Sequence, residues 1–394
     1  MLSNEMLSLG KKPSVIRELF EYGNKRKAEI GAENVFDFSL GNPSIPAPEI
    51  VNEIMSDLIN NKDSIALHGY TSAPGDMMVR TKIAENITNR FGFKADPKLI
   101  YMACGAAAAL TSTLKALCNT GDEVLTLAPY FPEYDVFTAN AGATLKPVKC
   151  KEDFSADIDA ISSAINEKTK AIIINSPNNP SGAVLSEEDI KALSKLLSDK
   201  SKEIGSPIYI IADEPYREIV YDNCFVPFIP CYYDNTIICY SYSKSLSLPG
   251  ERIGYVLVSP KAEDTYDVFA AVCGAARAMG YVCAPSLLQY TAAACDGTPP
   301  NIEQYDINRK LLYNALCEMG YTAVKPQGAF YLFVKALEDD AVHFCEMAKK
   351  HELLLVPSNG FGIEGYVRIS YCVTEDMIKR SLPAFKALYD DYSK

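Results

Sequence analysis

Four short clusters, each directly after an apolar, β-branched run, combine residue types and spacings suited to chemistry. In a parallel sheet, ligands gather beyond the carboxyl ends of the strands, so these positions come first. Residues 99–103 run into Cys104, Gly105, Ala106 and Ala107, a small-residue turn opening a helix whose free N–H groups and dipole suit a phosphate. Residues 171–175 run into SPNNPSG (176–182), a rigid turn that would hold an asparagine amide at the sheet edge. Residues 208–212 lead to Asp213, Glu214, Pro215 and Tyr216, and a carboxylate buried at a strand end needs a cationic or hydrogen-bonding partner, which a protonated heterocycle could supply. Residues 236–241 open SYSKSLSLPGERIGY (241–255). Here Lys244 is flanked by the hydroxyls of Ser241, Ser243 and Ser245 and followed eight positions later by Arg252, which suits a lysine forming a Schiff base beside an anion.

The elements that must hold these clusters share one rhythm. Apolar runs at 99–103, 123–128, 144–148, 171–175, 208–212, 236–241 and 253–258 alternate with amphipathic segments such as 106–118 and 187–197, the second capped by Ser186 and acids in its first turn. That pattern predicts an α/β fold, with a large domain built on a mainly parallel seven-stranded sheet covered by helices on both faces. From about residue 300 the pattern changes to a helix at 301–319, strands at 329–334, 353–357 and 366–373, and a last helix at 374–389. This predicts a smaller α+β domain. The N-terminal segment, with one helix and too little apolar surface to fold alone, is expected to complete it, so the expected division is 1–48 (joining the small domain), 49–298 (large) and 299–394 (small).

Composition narrows the partners. The chain has 394 residues, 48% hydrophobic and 22% charged, with 38 basic against 50 acidic side chains and a net charge of -12. An acidic surface is the wrong sign for nucleic acid or an anionic membrane, and no apolar run is long enough to span a bilayer. Twelve scattered cysteines form no CxxC pair, and His68, His343 and His351 form no metal cluster. Reduced thiols, no metal and a cytoplasmic location are the expectations.

Taken together in order, SPNNPSG, ADEPY (212–216) and SYSKSLSLPGERIGY, with Gly41-Asn42-Pro43 before them and Arg368-Ile369-Ser370 after, make the chain resemble the class I/II aminotransferases. These are fold-type-I, pyridoxal-phosphate-dependent, aspartate-aminotransferase-like enzymes. The resemblance implies transfer of an amino group between an L-amino acid and a 2-oxo acid in two half-reactions. It implies that Lys244 holds pyridoxal 5'-phosphate as a Schiff base and shuttles the proton, and that Asp213 sits against the pyridine nitrogen. Asn179 and Tyr216 would hydrogen-bond the ring's 3' oxygen, and Phe131 would stack on the ring, with Tyr134 the alternative.

The resemblance further implies a phosphate cup made by the backbone of Gly105, Ala106 and Ala107, by Ser241 and Ser243, and by Arg252, completed by Tyr70 of a neighbouring subunit in a homodimer. Arg368 would clamp the substrate carboxylate, with Gly41 approaching it through its backbone and Asn179 nearby. Two departures stand out: the phosphate turn reads Ala106 to Ala109 where many relatives carry a polar residue, and the stacking residue is phenylalanine in a chain without tryptophan. An acidic donor such as aspartate needs a second cation, for which Arg277 is the candidate. The alternatives are a carbon–sulfur β-lyase of the cystathionine type, which uses the same lysine, aspartate and arginine, and a non-catalytic regulator of the same fold.

Overall fold

The computed structural model describes residues 2–11 and 15–393. Its centre is a seven-stranded sheet whose strands lie side by side in the order Ile100–Ala103, Gly254–Val258, Thr236–Ser241, Tyr209–Asp213, Thr169–Asn175, Glu123–Ala128 and Thr144–Lys149. Gly254–Val258 runs antiparallel to both neighbours, and the other pairings are parallel. Alternation along the strands explains why both faces are covered: Ile172, Ile174, Ile210 and Ala212 enter one apolar cluster, while Ala171, Ile173, Tyr209 and Ile211 enter another. The edge strand Thr144–Lys149 is mostly exposed and carries Pro147, as an edge strand can.

Local chemistry sets the helices that flank the sheet. Glu187–Ile204 opens on a reciprocal box between Ser186 and Asp189 and stops at Gly205, which adopts φ +74. The helix runs seven residues beyond the stretch expected to end at 197. Ala106–Leu117 starts differently, because its N-cap is Gly105 and no side chain caps its first turn.

The C-terminal part builds a second sheet of four antiparallel strands, in the order Val356–Pro357, Tyr366–Ser370, Tyr331–Lys335 and Ala323–Val324. Helices Glu303–Met319, Ala341–Lys349 and Glu375–Tyr392 pack on it around a third apolar cluster. The single strand expected at 353–357 is two: Leu353–Leu354 pairs in parallel with Phe36–Asp37, and Val356–Pro357 joins Tyr366–Ser370. The N-terminal segment holds two helices rather than one, Asn4–Lys11 and Val15–Ile30; Met1 and residues 12–14 of it lie outside the described residues. No helix among the described residues is long and apolar enough to cross a membrane, they hold no group of side chains able to bind a metal, and all twelve cysteines are free thiols.

Candidate active site

The carboxyl ends of the central strands meet the C-terminal sheet around a cavity of about 310 Å³. Gly41, Ala106, Ala107, Phe131, Asn179, Asp213, Tyr216, Ser241, Ser243, Lys244, Arg252 and Arg368 all line it, so residues up to 327 positions apart in sequence converge on one space.

Lys244 stands in the short helix Tyr242–Ser245, directly after strand Thr236–Ser241, whose last residue caps it by accepting from the Ser243 amide. Its Nζ donates to the carbonyl of Gly41 at 2.6 Å. Burial lowers the ammonium to about 8; Cys372 opposes the shift, and the nearby cations Arg368 and Arg252 reinforce it.

Asp213 ends strand Tyr209–Asp213 and is buried. Its Oδ2 accepts from Tyr134 Oη at 2.5 Å and from Asn175 Nδ2 at 3.4 Å, whereas Oδ1, equally buried, has no partner among the described residues. Burial pushes the carboxyl up to about 7, with the Tyr134 bond opposing and Glu214 adding to the rise. The adjacent cation, Arg217, does not relieve it, because Arg217 forks onto Glu214 instead. A buried acceptor on a residue of the cavity wall, with no donor among the described residues, is what a protonated ring nitrogen would satisfy.

At the opposite end, Gly105 holds φ +83 and packs so closely beneath Arg252 that a Cβ would lie 3.0 Å from its Nη2. Ser241 Oγ and Ser243 Oγ lie 2.6 Å apart beside the uncapped first turn of Ala106–Leu117. Free N–H groups, two hydroxyls and a guanidinium facing one space form an anion cradle. The loss of a polar side chain at Ala106 and Ala107 leaves those backbone donors in place.

Arg368 lies in strand Tyr366–Ser370, buried, and donates from Nη1 to Asn179 Oδ1 at 3.1 Å and from Nη2 to the Ser39 carbonyl at 2.5 Å. Its Nε is buried without a partner among the described residues. Because Asn179 accepts through Oδ1, its Nδ2 is the end able to donate. Tyr216 Oη lies 2.8 Å from Tyr331 Oη. Phe131 is half-buried on the cavity wall and meets Tyr134 edge to face, 5.7 Å between centroids.

Gly105 caps the cradle helix without itself lining the cavity, and two further expected residues lie off the cavity in the single chain. Tyr70 is 98% exposed, and Arg277 is exposed in the last turn of helix Thr265–Ala278. Conversely, Tyr331, Asn175 and Ile16 line the cavity unanticipated, and Tyr134 holds Asp213 instead of offering its face to the cavity. Tyr331 sits in an apolar run that reads only as a strand, so nothing in its spacing marks it.

Comparison with known proteins accords with this geometry. Residues 33–385 match the family described as aminotransferase class I and II. An amino transferase from Eubacterium rectale of known structure is 58% identical with a TM-score of 0.98, covering 100% of both chains. The aspartate aminotransferase of Thermus thermophilus, solved with maleate, is 25% identical with a TM-score of 0.86 over 98% of this chain and 99% of that one. A probable aspartate aminotransferase of Methanocaldococcus jannaschii is 29% identical over 388 residues, covering 96% of this chain and 98% of that protein.

Proposed function

The chain belongs to the aminotransferase class I and II family and is a pyridoxal-phosphate-dependent aminotransferase acting on amino and 2-oxo acids, and from that premise we propose how its own residues divide the work and which donor it takes. Lys244 carries the cofactor. Asp213 holds the ring nitrogen through its unpaired Oδ1, the single observation on which the assignment most depends. Asn179 and Tyr216 donate to the ring oxygen, Phe131 covers the ring face, and the Gly105–Ala107 backbone, Ser241, Ser243 and Arg252 hold the phosphate. When bound, the cofactor supplies an electron sink for the pair left on the substrate's Cα.

Arg368, with its two bonded nitrogens already fixed in direction, receives the substrate carboxylate beside the Gly41 backbone. That grip points Cα toward Lys244. An amine near 8 rather than 10.5 is neutral often enough at physiological pH to take the Cα proton and, in the reverse half-reaction, to return it. The apolar walls around it, including Ile16, Phe131 and Phe137, limit water.

The same reading makes the working unit a homodimer in the cytoplasm. Ile65, Tyr70, Tyr281 and Val282 are exposed apolar side chains, and the two loops that carry the last three are tied together by Cys283 Sγ on the Thr71 carbonyl. An apolar patch of that kind supports an interface, with Tyr70 reaching the neighbour's phosphate. Twelve free thiols support a reducing compartment. The division 1–48, 49–298 and 299–394 is supported by the pairing of Phe36–Asp37 with Leu353–Leu354.

For the donor we take L-aspartate, on the names of the relatives, one of which was solved with the dicarboxylate maleate. Lys244, Arg252 and Arg368 are the cations lining the cavity, and each has another task, so Arg277 of a second copy is the candidate for the side-chain carboxylate. The test is the visible spectrum of the purified holoenzyme before and after excess L-aspartate with no oxo acid. Conversion of the cofactor to its amine form is expected. A band that changes with L-alanine but not L-aspartate would move the donor, and no band after adding pyridoxal phosphate would overturn the whole reading.

A further inference from the structure

Tyr331 stands where the cofactor end and the carboxylate end of the cavity meet. It lies in strand Tyr331–Lys335, opposite Ser370 of the strand that carries Arg368, and it is buried on the cavity wall. Three contacts converge on this one side chain. Its hydroxyl lies 2.8 Å from Tyr216 Oη. Its ring face lies under the Arg368 guanidinium, 4.7 Å from centroid to Cζ. A Cβ on Gly41 would lie 1.9 Å from its Oη, so the Gly41 backbone is pressed against the phenol while its carbonyl accepts from Lys244.

We propose that Tyr331 is a positioning residue for the transamination site, whose hydroxyl orients Tyr216 toward the cofactor and whose ring orients Arg368 toward the substrate carboxylate. The inference rests on the roles given above to Tyr216 and Arg368 and extends them. If Tyr331 donates to Tyr216 Oη, the Tyr216 proton is free to point into the cavity, and a hydroxyl that accepts a bond becomes a better donor. Burial raises the Tyr331 hydroxyl to about 12, so it stays protonated and able to donate throughout the working range. Arg368 is desolvated; its Nη1 and Nη2 bonds hold two corners of the guanidinium, and the ring of Tyr331 at 4.7 Å, with that of Phe361 at 5.2 Å, restrains its plane. The ionisable groups nearest the phenol are Tyr216, Arg368 and Cys372, with Lys244 one peptide away.

The two functions separate by substitution. Tyr331→Phe removes the hydroxyl and keeps the ring; Tyr331→Leu removes both. In holoenzyme the visible chromophore titrates, and a weaker Tyr216 donor leaves the ring oxygen more basic, which holds the shared proton more tightly. Tyr331→Phe should therefore move that spectroscopic titration upward by roughly half a pH unit, with KM for the amino donor within about twofold of the parent. Tyr331→Leu should give the same spectral shift and raise KM by about tenfold. An unmoved titration in Tyr331→Phe, or equal KM values in the two variants, would overturn the proposal. If the leucine variant does not fold, the phenylalanine titration decides by itself. Failure of the underlying reading looks different, because the parent would then show no titrating band, and Lys244→Ala would match it.

Discussion

Tyr134 Oη donates a 2.5 Å hydrogen bond to Oδ2 of Asp213, joining residues 79 apart in sequence at the floor of the cavity. The bond fixes which carboxylate oxygen remains for a ligand. It is also what opposes the upward drift of the Asp213 carboxyl, since burial and Glu214 both raise it. Removing the hydroxyl leaves Asp213 more readily protonated and free to turn. Tyr134→Phe should weaken retention of pyridoxal phosphate by about tenfold, the worth of one hydrogen bond to a charged group. Equilibrium dialysis measures it, and an unchanged dissociation constant would remove Tyr134 from this role.

The cofactor-free protein should carry a stability defect that grows as pH rises from about 4 to about 7. Asp213 rises from 3.8 to about 7 on folding, so between those values the folded state binds more protons than the unfolded one. By linkage, its contribution to stability falls as pH rises through that window and stays lost above about 7. Asp213→Asn removes the titration. It should stabilise the apoprotein relative to the parent at pH 8 by at most about 4 kcal/mol, seen as a higher melting temperature, and by less than half of that at pH 5, where only the first part of the window has been crossed. An equal gain at both pH values would mean that packing, not charge, is responsible. Activity of the same variant should collapse, which is the usual cost of building a site for function.

Much of this site was legible because its chemistry lies in contiguous motifs after strands. Lys244, Asp213, Asn179 and Arg252 announce themselves by the turns they stand in, and the rhythm of strand and helix located the large sheet to within a residue or two. Tyr134 and Tyr331 were not legible in the same way, because each acts through a partner dozens of residues away and its own neighbours look like ordinary core. The split of 353–357 was hidden for a related reason: Leu353 to Val356 read as one apolar run, and only the positions of Phe36 and Arg368 divide it between two sheets. Tyr70 and Arg277 were nameable from the resemblance, but a single chain gives each only an exposed surface.

Uptake of the cofactor should follow the ionisation of Lys244. The neutral amine is the nucleophile toward an aldehyde, and burial with two neighbouring cations brings its midpoint to about 8. The rate at which apoprotein acquires the visible band on mixing with pyridoxal phosphate should rise with pH to a midpoint near 8, and stopped-flow absorbance measures it. A midpoint near 10.5 would mean that the lysine is solvated before the cofactor arrives. Arg368→Leu removes one of these two cations, and the midpoint should move upward.

A shared site makes a sharper claim than a dimer alone. If Tyr70 of one subunit serves the phosphate held by Arg252 and Ser243 of the other, two inactive variants must rescue each other. Lys244→Ala lacks the nucleophile, and Tyr70→Ala lacks the donated hydroxyl. After unfolding and refolding an equal mixture, half of the dimers are hybrids, and each hybrid has one site with both residues intact. The mixture should recover about a quarter of parental activity, where each variant alone stays far below that level. The arithmetic discriminates because two self-contained sites cannot exchange parts: if Tyr70 acted within its own chain, every site in every hybrid would keep one defect. Activity no higher than the average of the two variants would therefore place Tyr70 in its own subunit's architecture.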